Sequence, residues 1–235
     1  MTLLCLIAAA IAGDNAHSVD VYAGTEFPLM VGVGATYEHP TRLRLDVNGG
    51  FMPDAYVDAL NWILTTFDVY DETTADLIDD VLTNALLGRA ELGFRPWEER
   101  GWTAALGYQH LRVFGSTAGL TSFVDGVDED ALETAQEFTG NLTIDIAVHQ
   151  IHGELGYERA LMADRFGDHL RIRGTVGFAY TLRANTTADT TQEPSNPIHE
   201  TAADIVIYEA EVYLDDVFEE WVHIPTLGVS AGYRF

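Results

Sequence analysis

Lysine is absent from this chain of 235 residues: all 12 basic residues are arginines, set against 37 Asp and Glu for a formal net charge of −25. Nucleic acids and anionic membrane surfaces recruit proteins through an excess of Lys and Arg, so the overall charge argues against both as partners. Cysteine occurs once, at Cys5, which excludes an internal disulfide. Although 47% of the residues are hydrophobic, no apolar run of about eighteen residues follows the N-terminus, which argues against a helical membrane protein. A Gly-rich phosphate loop, a zinc-type cysteine cluster and a nucleotide fingerprint are all missing, and no cofactor is expected.

The first residues are different in kind. Leu3 to Ala12 form a short apolar stretch ending in small residues, with Ala10-Ile11-Ala12 as a cleavage signal. Residues 1–16 therefore read as a signal peptide, and 17–235 as a single exported domain.

Within that domain, eight segments alternate apolar and polar residues with period two, as a strand with two unlike faces must. They cover 29–38, 42–51, 86–95, 102–109, 149–158, 170–181, 206–215 and 226–235. In the third, Leu86, Ala90, Leu92 and Phe94 oppose Arg89, Glu91 and Arg95; in the sixth, Ile172, Val176, Phe178 and Tyr180 oppose Arg171, Arg173 and Thr175. A soluble sandwich alternates too. What discriminates is the polar face, which pairs arginine with carboxylates in almost every segment. A face turned to water would carry lysine as well, whereas an all-arginine set matched by acids suits buried, bidentate ion pairs. Closing the sheet puts those pairs in a lumen and the apolar face in lipid, and leaves no strand edge unpaired.

The expected fold is thus all-β: an eight-stranded antiparallel up-and-down transmembrane β-barrel, with a lumen filled by side chains instead of a wide pore. The lumen set read from the pattern is Arg44, Asp46, Arg89, Glu91, Arg95, His152, Glu154, Arg171, Arg173, Glu209, Glu211 and Arg234. Aromatics flank the apolar stretches as interfacial girdles, with Tyr37, Trp97, Trp102, Tyr157 and Trp221 at one end and Phe51, Phe114, Tyr233 and Phe235 at the other.

Three connections are long, acidic and free of arginine. Segment 54–85 carries Val57, Leu60, Ile63, Leu64 and Phe67 at helical spacing, which predicts a helical insert between the second and third strands. Segments 115–142 and 184–203 are the other two. With eight strands so assigned, the long connections share an end with both termini. Asp125, Asp128 and Asp130 offer oxygen ligands that suit a divalent cation such as calcium, but without the Gly-punctuated spacing of a dedicated loop.

The closing residues, Leu227-Gly-Val-Ser-Ala-Gly-Tyr-Arg-Phe235, resemble the terminal strand of outer-membrane barrels, and the plan is similar to small OmpA-like barrels. That resemblance implies the outer membrane as location, its lipid bilayer as surroundings, and Tyr233 with Phe235 as the signal read by the barrel-assembly machinery. Met52 to Asn61 also resembles a segment of uncharacterised Gram-negative barrels, which implies no function. Two other functions stay open: a lipid-modifying enzyme using His152 and Glu154, with Ser230 a distant third member, and a soluble lipocalin-like barrel with its apolar face turned inward. The expectation favours a non-enzymatic barrel.

Overall fold

The computed structural model describes residues 17–66, 85–97, 101–118, 142–166, 169–190, 211–219 and 223–235, with positions 75, 82, 204, 207 and 208 between them. The signal-peptide reading of 1–16, the acidic run at 125–130, Glu209 and Trp221 lie outside the described residues. Eight strands form one closed antiparallel barrel in sequence order: β1 Ser18–Phe27, β2 Met30–Glu38, β3 Leu43–Phe51, β4 Leu86–Phe94, β5 Trp102–Ala118, β6 Leu142–Ala160, β7 Leu170–Thr190 and β8 Ile224–Arg234. The seam is a full ladder of β1 against β8, from Asp20 opposite Arg234 to Phe27 opposite Leu227. Helix α1 spans Asp54–Thr66, α2 is the single turn Ala163–Phe166, and residues 211–219 form a third helix, α3.

Alternation decides which face is which. Along β4 the exposed residues Leu86, Ala90, Leu92 and Phe94 alternate with buried Leu87, Arg89 and Glu91. The same parity puts Leu43, Leu45, Val47, Leu106, Ile151, Leu155, Val176, Leu227 and Val229 on the outside of the barrel. Leu92 is 72% exposed and Val33 is 64%, so the apolar face points outward and the charged face inward. A lipocalin-like arrangement, apolar inside, is the reverse of what the chain adopts.

Several expectations need correction. The strand count of eight is right, but its members differ. Ser18–Phe27 is β1; its outward residues Val21, Ala23 and Thr25 make too faint an apolar face for periodicity to show. The segment expected as the seventh strand, 206–215, is helical at every described position. Its period-two run of Val206, Tyr208, Ala210, Val212 and Leu214 competes with a helical one in which Leu214 and Phe218 share a face, and the helix wins by burying both. The helical insert consequently lies between β3 and β4, not between the second and third strands. β5, β6 and β7 also extend into the expected connections, to Ala118, from Leu142 and to Thr190.

These changes reverse the ends of the barrel. The connections 39–42, 95–101 and 161–169 are short and lie at the end where β1 begins and β8 finishes. The strand ends joined through 52–85, 119–141 and 191–223 lie at the opposite end, away from both His17 and Phe235. Tyr233 and Phe235 therefore join Tyr37, Trp97, Trp102 and Tyr157 in one girdle instead of facing them across the barrel. Trp102 packs edge-on to Tyr157 with centroids 5.2 Å apart, and Tyr233 edge-on to Phe235 at 5.0 Å.

β5, β6 and β7 are 17, 19 and 21 residues long where β2, β3 and β4 have nine each, so three strands rise well above the rest. About nine to eleven residues suffice to cross a bilayer, so the excess projects beyond it. Inside this upper part the lining turns apolar: Leu87, Leu111, Val113, Ile144, Ile146 and Val148 are buried. α1 inserts Val57 and α3 inserts Leu214 and Phe218 into the same cluster. The upper mouth is closed by hydrophobic packing.

α3 also solves an edge problem. β8 stops pairing with β7 at Ala179, which leaves the upper part of β7 with unpaired amides. Glu219, Asp215 and Glu211 accept hydrogen bonds from the backbone N–H groups of Ala184, Thr186 and Ala188, at 3.1, 2.7 and 2.9 Å. Four residues of helix rise about 6.0 Å and two residues of strand about 6.6 Å, so carboxylates at every fourth position match amides at every second. The helix stands in for a missing strand.

Candidate functional site

The lower lumen holds the charges that the arginine pattern predicted, in three linked groups. In the lowest, the buried carboxylate of Glu158 on β6 meets four guanidiniums: Arg44 at 3.1 Å, Arg95 at 3.0 Å, Arg171 at 2.5 Å and Arg234 at 3.1 Å. Arg95 also grips Glu38 through two nitrogens at 2.9 and 3.0 Å, and Arg234 grips Asp20 at 2.6 and 2.5 Å. These forks are the bidentate geometry that only arginine supplies.

In the middle group, Asp46 on β3 accepts from the hydroxyls of Tyr22 and Thr36, each at 2.5 Å, from Asn48 at 3.1 Å and from Arg173 at 3.3 Å. Arg173 also pairs with Glu154. The Tyr22 ring lies against Gly34 on β2, where a Cβ would collide with the phenol. A glycine is required there by close approach.

In the upper group, Arg89 holds Glu26 bidentately at 2.7 and 2.8 Å and donates to Gln109 at 2.8 Å. Gln109 donates onward to Gln150, and Gln150 to Thr181. His152 is fully buried, with Nδ1 2.6 Å from Glu91 and Nε2 3.3 Å from both Glu26 and Thr226. Each residue named in these three groups has a partner from another strand, so the network links the strands around the barrel wall.

Seven carboxylates (Asp20, Glu26, Glu38, Asp46, Glu91, Glu154, Glu158) thus face six guanidiniums (Arg44, Arg89, Arg95, Arg171, Arg173, Arg234) across the described lumen. The surplus carboxylate charge falls where His152 stands between Glu91 and Glu26.

Of the residues singled out from sequence, Arg44, Asp46, Arg89, Glu91, Arg95, His152, Glu154, Arg171, Arg173 and Arg234 all come together. Glu211 does not: it sits on α3 and holds the Ala188 amide. Asp20, Tyr22 and Glu26 escaped because β1 was not recognised as a strand. Glu38 and Glu158 lay on charged faces of recognised strands, and the Arg-rich partners opposite were the signal that could have found them.

Two chemical possibilities can be weighed on this geometry. Ligand atoms of Glu91, His152 and Glu154 lie within 4.8 Å of one another, a donor set that a metal ion could use. Here, however, Glu91 is committed to His152 and Glu154 to Arg173, so both carboxylates already have partners in the lumen. A Ser-His-acid site needs Ser230 beside His152, yet the imidazole nitrogens face Glu91, Glu26 and Thr226. Ser230 lines a separate cavity of about 40 Å³ with Glu154, Arg173 and Asp46, and a second cavity of about 20 Å³ lies below it. A water needs about 10–15 Å³ by the same measure, so these spaces hold a few waters at most.

No family model matches the chain, and no curated protein matches it. Solved structures similar to it include CarO of Acinetobacter baumannii, at 12% identity over 92% of this chain and 97% of that one, with a TM-score of 0.40. The N-terminal β-barrel domain of OprF from Pseudomonas aeruginosa gives 10% identity over 95% and 99%, also with a TM-score of 0.40. A major outer membrane protein of Thermus thermophilus gives 16% identity over 94% and 100%, with a TM-score of 0.42. At such scores and identities the class of this protein rests on its own wall: a closed eight-stranded barrel, charged within and apolar without.

Proposed function

We propose that this chain is an integral outer-membrane barrel whose role is structural: a rigid, filled cylinder that carries three long acidic segments on one side of the bilayer. The observation that supports the reading is the outward apolar wall, continuous around a barrel whose interior is a buried ion-pair network. In water such a wall would be a very large exposed hydrophobic patch; in lipid it is the ordinary solution.

The proposal places the girdle of Tyr37, Trp102, Tyr157 and Tyr233 at the periplasmic interface, with Phe235 as the assembly signal. The long segments, with α1 and α3, then face the outside, where their carboxylates suit divalent cations. Small-molecule conduction forms no part of this role, because the lower lumen is packed with ion pairs and the upper mouth with α1 and α3. A lipid-modifying activity has less support, since His152 and Glu154 point into the lumen and not toward lipid.

Membrane fractionation with an unboiled-versus-boiled gel tests the proposal. Recovery with the outer membrane and a heat-dependent mobility shift is the expected result. Recovery in buffer without detergent, with no shift, would overturn it.

A further inference from the structure

All six lumen arginines reach a carboxylate. Three exposed arginines on the outer wall do not: among the described residues, Arg112 on β5, Arg159 on β6 and Arg183 on β7 have no carboxylate within 4.0 Å. Arg159 stands apart near the lower end of β6, whereas Arg112 and Arg183 lie near the upper end with histidines between them. The ladder runs His110 opposite His149 and His149 opposite Arg183, with Arg112 one outward position above His110. All four point outward. Arg112 lies over the ring of Phe114, 4.5 Å from its centroid, and Nδ1 of His110 is buried without a hydrogen-bond partner.

Their position on the wall is as informative as their charge. The register row through Arg112 passes through Leu86 and Phe51, where β4 begins and β3 ends. Below that row the outward residues include Leu106, Tyr108, Ile151 and Tyr180; above it, beyond the Phe114 ring on which Arg112 lies, they include Asp145, Thr187 and Asp189. The cationic cluster therefore marks the line at which the lipid-facing wall gives way to a wet surface. In a bilayer, phosphate groups lie along that line. The net charge of the chain argues against anionic partners in general, and this strip is the local exception.

Resting on the membrane reading above, we propose that Arg112 and Arg183, flanked by His110 and His149, form a binding site for the phosphate of a phosphorylated membrane lipid in the outer leaflet. The acyl chains would lie on Leu106, Ile151 and the Tyr180 ring below. Guanidiniums suit the anion because they offer forked donors to phosphate oxygens.

The test uses the full chain folded in neutral maltoside micelles, with a bisphosphorylated acyl-glucosamine lipid, its dephosphorylated counterpart and inorganic phosphate as probes. Bound lipid is read by native mass spectrometry. The intact barrel should retain the phosphorylated lipid over the dephosphorylated one, and R112Q/R183Q should lose about twenty- to thirty-fold of that retention, about fivefold per arginine. Arg159→Gln, an exposed arginine at the opposite end of β6, should change nothing. Equal retention of the two lipids, an unaltered double variant, or displacement of the lipid by equimolar inorganic phosphate would each overturn the site. A chain that shows no heat-dependent mobility shift sinks the membrane reading itself, whereas a heat-shifting barrel that fails to discriminate sinks only the lipid site.

Discussion

Glu158→Gln is the substitution that most directly tests the lumen. The carboxylate is 4% exposed and faces four guanidiniums, but these do not depend on it equally. Arg95 keeps Glu38 and Arg234 keeps Asp20 when the charge is removed. Arg44 keeps only Glu38 at 4.0 Å, and Arg171 has no second carboxylate within 4.0 Å among the described residues. Two guanidiniums are thereby left without adequate compensation, and Arg44, itself 4% exposed, is shut off from bulk water. Removing one partner of a buried pair costs about 3–5 kcal/mol, so the folded-to-unfolded ratio should fall between about a hundred- and several-thousand-fold. Arg171→Leu provides the comparison. It leaves Glu158 with three guanidiniums and removes a single charged contact from a side chain that is 17% exposed, a loss of about 1.5–3 kcal/mol at most. Urea unfolding in phospholipid vesicles, followed by the unheated gel band, gives both numbers. An unchanged midpoint for Glu158→Gln, or a larger loss for Arg171→Leu, would refute the account of the lumen as a charge-balanced network.

Three further outcomes follow from other parts of the barrel. Leu106→Arg puts a charge on the middle of the outer wall and should cost about 2–4 kcal/mol of stability in vesicles; a neutral effect would argue that this face meets water. Asp215→Ala removes the acceptor of the Thr186 amide, so hydrogen exchange there should accelerate by about tenfold or more, with Gly93 in the lower barrel as the unchanged reference. Unaltered exchange at Thr186 would mean that α3 does not cap the edge of β7. Phe235→Ala should slow assembly into the outer membrane while shifting the stability of the purified barrel by less than about 1 kcal/mol, because the backbone bond from Phe235 to Val19 survives. Normal assembly kinetics in cells would remove Phe235 as the assembly signal.

The barrel class was determined by the sequence itself. Period-two alternation says which side chains share a face, and the complete replacement of lysine by arginine says that the polar face is buried, because a compact ammonium on a flexible stem is the usual choice for a wetted surface. Ten of the twelve residues read from that pattern meet in the lumen. Tertiary structure decided the rest, for a physical reason that is the same in each case: the local signal was weaker than a contact made across the fold. β1 carries only Val21, Ala23 and Thr25 on its outer face, and it becomes a strand because Asp20, Tyr22 and Glu26 find Arg234, Asp46 and Arg89 on other strands. The segment around Leu214 alternates well enough for a strand, but it becomes α3 because Leu214 and Phe218 can then be buried while Glu211, Asp215 and Glu219 satisfy the amides that β8 leaves free. That pair of exchanges kept the strand count at eight and moved every long connection to the far end. Sidedness was therefore a property of closure, since it depends on which strand is first, and no single segment encodes that.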